Sequence, residues 1–159
     1  PYLSGERTPY ADPLARATFI GLTVRHGLGH MVRAVLEGVA FSLRDVFALV
    51  SETAPDPLRE LRASGGGTNS PLWRQIIADV LGVPIALTHT AEGVATGAAI
   101  LGAVAAGWFP TVGEACEAMV EVTDTTAPGT DAGAYDAVYA VYRAAYPTLK
   151  ETFAALAEV

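Results

Sequence analysis

Between residues 64 and 71 the chain reads Ser64-Gly65-Gly66-Gly67-Thr68-Asn69-Ser70-Pro71, a run with no bulky side chain. Glycine lets a backbone take positive φ and come close to a ligand. Ser70-Pro71 has the form of a helix N-cap followed by proline at the first helical position. The unpaired N–H groups of that helix then point back at the glycines, an arrangement that suits an anion. A diphosphate or triphosphate is the natural occupant. Gly65, Gly66 and Gly67 are therefore the candidate phosphate-binding residues.

Two better-known phosphate loops do not match these residues. G-x-x-x-x-G-K-[ST] requires a lysine, and the only lysine in the chain is Lys150. A dinucleotide loop needs G-x-G-x-x-G and an acidic residue closing the second strand, where this chain has Thr88 and His89. Elsewhere the chemistry-bearing residues are scattered. His26, His30 and His89 read as packing or hydrogen-bonding residues, and Cys116 stands alone, which excludes an intrachain disulfide and a cysteine metal cluster. Arg33 and Glu37, four apart on a helix, read as an exposed ion pair. Glu92, just before a helix, is explained by the helix dipole. Glu6, Arg7 and Asp12 lie in a polar opening loop with no metal-ligand spacing. No catalytic residue and no metal ligand is assigned.

The elements that would position the glycine turn follow from periodicity and punctuation. Larger apolar residues at 28, 32, 35, 39, 43, 46 and 50 recur every three or four positions, the mark of a long, central amphipathic helix ending at Pro55-Asp56-Pro57. Short strands are expected at residues 19–22, 61–64 and 85–88, and helices at 71–81, 95–107 and 114–121. Residues 123–133 read as turns. A last helix carries Tyr135, Tyr139, Tyr142, Tyr146, Leu149, Phe153 and Leu156 on one stripe, as core or as a docking surface. Trp73 and Trp108 read as packing residues. Strand and helix alternate through the middle, the pattern of an α/β layer architecture.

Composition sets the outer bounds. The 159 residues suit one domain, and 51% hydrophobic with 17% charged residues excludes disorder. A net charge of −7 leaves no basic stripe for a nucleic acid backbone. The longest apolar stretch, residues 93–110, is Gly- and Ala-rich and short of a membrane span, so no membrane partner is expected. A lone cysteine suits a reducing cytoplasm. The chain opens on Pro1-Tyr2-Leu3 without an initiator Met and is expected to be part of something longer.

One stretch carries a family resemblance. Ala17-Thr18-Phe19-Ile20-Gly21-Leu22, seven further residues, then His30-Met31-Val32-Arg33-Ala34-Val35-Leu36-Glu37 resembles the second signature of the FGGY carbohydrate kinases, spacing included. Glu37-Gly38-Val39-Ala40-Phe41, the glycine turn, Ala78-Asp79-Val80-Leu81-Gly82-Val83-Pro84 and Gly97-Ala98-Ala99-Ile100-Leu101-Gly102-Ala103 continue the likeness over nearly the whole chain. Within the family, Pro1-Tyr2-Leu3-Ser4-Gly5-Glu6-Arg7-Thr8-Pro9 is most similar to the xylulose kinase branch; gluconate and glycerol kinases are the alternatives.

The resemblance implies an α/β fold, an actin-like ATPase (ribonuclease-H-like) C-terminal domain over residues 1–159, with a short mixed sheet flanked by helices. It implies ATP with Mg²⁺ in a cleft between two domains. Gly65 and Gly66 would then line the phosphates and Ser70 would lie near the adenine and ribose, with Asn69 and Gln75 adjacent. The sugar, xylulose or a relative, and the aspartate general base would belong to an N-terminal domain that this chain lacks, so the chain alone would be inactive. The face left by that domain makes a homodimer one of the partners to expect, beside ATP and ADP. A non-catalytic actin-like interaction module is the competing reading.

Overall fold

The computed structural model describes residues 1–89 and 92–158. Its sheet has three strands, β1 (Leu61–Ala63), β2 (Ile85–Thr88) and β3 (Val122–Thr126), in that spatial order. β1 and β2 run parallel with Leu61 opposite Ile85, and β3 returns antiparallel with Thr126 opposite Ile85. A parallel pair needs a crossover, here supplied by α2 (Pro71–Leu81). Ser70 caps that helix by accepting the Trp73 N–H at 3.3 Å, Pro71 opens it, and Gly82 ends it in the left-handed conformation. Ala78 and Leu81 of α2 pack with Ile85, Leu61 and Ala63 of the sheet and with Phe47 of α1 (Leu28–Thr53), so α1 and α2 share one face of the sheet.

A second core joins Ala40 and Phe41 of α1 to Ile76 and Val80 of α2 and to Tyr135 of α5 (Ala134–Leu156). The expected 28–50 stripe of α1 is not this core. Apart from half-buried Val39 its members point outward, with Leu28 77% and Val35 49% exposed, while the buried positions are Ala40, Phe41 and Asp45. The helix has two apolar faces, and the described chain covers only one. The remaining helices, α3 (Gly93–Ala105) and α4 (Val112–Met119), pack on each other with Ile100, Ala103 and Ala115 buried. Among the described residues no helix is long and apolar enough to cross a membrane.

Three further expectations need correction. Residues 19–22 form no strand: Phe19, Ile20 and Leu22 are exposed and no ladder partner reaches them. The third strand is instead β3, overlapping the stretch read as turns, where Val122, Thr123, Thr125 and Thr126 are β-branched but the strand is mostly exposed and so shows no alternation. Trp108 is 78% exposed and packs into no core.

The tyrosine stripe of α5 does more than fill the core, because it clamps the opening loop. The Tyr2 and Tyr142 hydroxyls are hydrogen-bonded at 2.7 Å, Tyr146 donates to Asp12 Oδ2 at 2.8 Å, and Tyr10 stacks on Tyr146 with centroids 3.8 Å apart. The loop is pinned on itself by buried Glu6, whose Oε2 accepts the N–H groups of Tyr10 and Ala11. Tyr139 donates to Asp45 Oδ1 at 2.5 Å. Tyr135 accepts from Arg33 and donates to Glu37, so that ion pair also ties α1 to α5.

Burial pushes the Tyr2, Tyr139 and Tyr146 phenols up to about 12, and donation to Asp45 and Asp12 adds to the rise at Tyr139 and Tyr146. Burial, with the Tyr2 hydrogen bond, raises Tyr142 as well. The folded state holds these protons through the range where unfolded phenols, with an ordinary value of 10.0, have lost them. The stability they contribute is complete below pH 10 and lost as pH rises toward about 12. Urea unfolding across an alkaline pH series is expected to show a flat midpoint below that window and a steep fall within it. Ionisation of every tyrosine at the ordinary value, with the fold intact, would contradict the clamp.

Candidate functional site

The glycine turn lies at the C-terminal end of β1, where parallel strands of open α/β sheets place their ligands. Gly65 has φ 100° and ψ 166°, a conformation that residues with a Cβ rarely take. A short 3-10 helix, Gly66–Asn69, follows and is closed by the Thr68 N–H donating to the Gly65 carbonyl at 3.1 Å and the Ser70 N–H to the Gly67 carbonyl at 3.2 Å. The leading N–H groups of such a helix have no carbonyl behind them within it. A second helix N-terminus comes close: a Cβ built on Gly93, the first residue of α3, would stand 2.6 Å from Ser64 Oγ. The N-terminus of α3 thus lies beside Ser64, the residue that leads into the glycine turn.

The five candidate residues part company in this geometry. Around Gly65 and Gly66 a Cβ would meet nothing within 4 Å, so their outer face is open to a ligand. Gly67, itself exposed, lies against Trp73, and a Cβ there would overlap its ring. Asn69 is exposed at the end of the 3-10 helix, and the Ser70 hydroxyl oxygen caps α2. Gln75 is turned away: its Nε2 donates to Asp79 Oδ1 at 2.8 Å and to the Ala127 carbonyl at 3.0 Å. Asp79, buried, also accepts the Gly129 N–H at 2.6 Å. Arg74 joins the turn to β3 through the Thr68 carbonyl at 2.7 Å and Thr126 Oγ1 at 3.3 Å. Sequence reasoning passed over Arg74 and the 124–130 stretch, whose partners lie some fifty residues away in the chain.

The turn can receive phosphate oxygens through backbone N–H groups, with a floor of glycine and no side chain in the way. Among the described residues no three His, Cys, Asp or Glu side chains gather as metal ligands. Two hollows of the surface, one beside His89 and Glu117 and one beside Phe47 and Pro55, are lined by no residue of the turn.

Comparison with known proteins decides the family. The profile of the FGGY family of carbohydrate kinases, C-terminal domain, matches residues 1–106. The chain belongs to the FGGY family of carbohydrate kinases. A xylulose kinase from Staphylococcus epidermidis is 36% identical to this FGGY chain over 157 residues, covering 98% of it and 32% of the relative. A gluconokinase from Bacillus subtilis is 40% identical over 107 residues, covering 67% of the chain and 21% of the relative. The crystal structure of a ligand-bound xylulose kinase from Lactobacillus acidophilus superposes with a TM-score of 0.89 at 29% identity, covering 98% of the FGGY chain and 32% of the solved one. The fold is therefore the actin-like ATPase domain expected from the sequence, with its small mixed sheet flanked by helices. The FGGY chain spans about a third of the length of the curated relatives it matches.

Proposed function

We propose that this chain is the nucleotide-binding C-terminal domain of an ATP-dependent carbohydrate kinase that phosphorylates xylulose to xylulose 5-phosphate. The observation that carries the nucleotide part is the open glycine turn at Gly65 and Gly66, with the α3 N-terminus beside Ser64, in a chain of this family. When bound, ATP supplies the transferable phosphoryl group and brings its Mg²⁺. The chain's own residues bind and orient: the N–H groups of Gly66 and Gly67 donate to phosphate oxygens, and Asn69 and Ser70 border the nucleoside. Phosphoryl transfer depends on positioning and charge stabilisation. The sugar hydroxyl and the carboxylate that takes its proton come from the rest of the kinase, so this domain alone is inactive. The outward apolar face of α1 supports that reading, because contiguous exposed apolar surface marks a place where something else packs.

For the substrate, a xylulose kinase and a gluconate kinase from Lactobacillus acidophilus both superpose on 98% of the chain, with TM-scores of 0.89 and 0.88, so the choice of xylulose rests on the opening loop, 1–9, and its likeness to the xylulose kinase branch. A sugar panel on the whole kinase is expected to give phosphorylation of xylulose ahead of gluconate and glycerol; turnover of either without xylulose sinks the substrate assignment. Calorimetric titration of the chain with Mg-ATP tests the site itself. Saturable but weak binding is expected, since half of a cleft forms fewer contacts and leaves the phosphates in water. Absence of binding to both the chain and the whole kinase would end the nucleotide reading.

A further inference from the structure

Arg74 stands on the first turn of α2, yet its guanidinium reaches off the helix to two other elements. Nη1 donates to the Thr68 carbonyl at 2.7 Å, Nε to Thr126 Oγ1 at 3.3 Å, and Nη2 faces Asp124 Oδ2 at 3.4 Å. Only 14% of the side chain is exposed. The first acceptor belongs to the glycine turn and the other two to β3, so one side chain sets the spacing between the turn and the outer strand.

The turn needs such a brace. Its own hydrogen bonds, Thr68 N–H to Gly65 and Ser70 N–H to Gly67, close the 3-10 helix on itself and fix it to nothing else. Consecutive glycines have the most backbone freedom to lose. The Gly67 contact with Trp73 holds one side of the turn, and the Arg74 bond to Thr68 holds the next residue. We infer that Arg74 is a positioning residue of the nucleotide site, keeping the Gly66 and Gly67 N–H groups aimed at one point by tying the turn to β3. This rests on the nucleotide reading above. Donors already held in place bind a phosphate without first being ordered. The planar fork of arginine reaches several acceptors at fixed angles, which a lysine ammonium does not reproduce.

The test compares Arg74→Met and Arg74→Lys with Gly66→Val in the whole kinase. Both Arg74 variants are expected to raise the KM for Mg-ATP about tenfold, the factor associated with losing a charge-assisted hydrogen bond. The sugar KM stays within about twofold, since the change acts on one substrate's binding. Amide exchange at Thr68 and Ser70 quickens in both. Thr126→Val, which removes one acceptor and leaves the guanidinium, is expected to shift the same KM about threefold and carries the test if Arg74→Met does not fold. Full rescue by lysine would mean that the charge acts on the phosphates directly, which overturns positioning. An unchanged KM in the Arg74 variants beside a raised one in Gly66→Val overturns this inference alone; an unchanged KM in Gly66→Val removes the nucleotide reading and this inference with it.

Discussion

Asp79→Ala is expected to destabilise the domain by about 2–4 kcal/mol, measured by urea unfolding, because two donors to a buried carboxylate lose their acceptor together. Asp79 is 7% exposed and its Oδ1 accepts from both Gly129 N–H and Gln75 Nε2. These bonds hold the 127–130 segment against α2, and that segment leads from β3 into α5. Gly129 fits closely, since a Cβ there would lie 3.2 Å from Gln75 Nε2 and 3.4 Å from Asp79 Oδ1. Asp79→Asn keeps an oxygen facing the same donors and is expected to cost roughly half as much, the difference between a charged and a neutral acceptor. Amide exchange at Gly129 should quicken most in the alanine variant. Parent-like unfolding of both variants would show that the segment is held by other contacts.

Valine at position 66 and valine at position 67 are expected to do different damage, one to ligand binding and the other to folding. At Gly66 the added side chain meets nothing of the protein within 4 Å, so the thermal midpoint should hold. It projects into the space where phosphates approach, and the apparent KM for ATP in the whole kinase is expected to rise by at least about tenfold, or 1.4 kcal/mol of binding. At Gly67 the side chain meets the Trp73 ring. Relieving that overlap means displacing an indole packed on the α1–α2–α5 core, at about 1–3 kcal/mol of stability. The pair is read from KM and unfolding midpoint together. If Gly66→Val leaves both the KM and the calorimetric affinity of the parent, the turn is only a tight connection, and the domain reads as an actin-like interaction module.

How much of this was legible in the sequence depends on burial. The α2 boundaries were readable because Ser70-Pro71 and Gly82 are local signals with local physics, and β2 because Ile85 and Ala86 are both buried. β3 was not, since its ladder partner lies in β2 and its side chains face water, leaving neither a run nor an alternation. The apolar stripe of α1 misled for the opposite reason: periodicity reports that a face is apolar, not which other element covers it. At the site, the glycine turn announced itself through three consecutive residues. The division of labour within it did not, because only the Trp73 ring shows that Gly67 has no room for a side chain, and only β3 shows where Arg74 reaches.

The clamp of the opening loop on α5 has a bearing on how the chain reaches this structure. Tyr2 and Tyr142 are 140 positions apart, and Asp12 and Tyr146 are 134 apart. Contacts of such sequence separation close very long loops, and topologies rich in them fold slowly. Synthesis runs from the N-terminus, so Tyr2, Tyr10 and Asp12 are made well before the α5 residues that hold them. The opening loop of the nascent domain is therefore unlatched until α5 has emerged, and its rings stand in water or in the care of a chaperone for that interval.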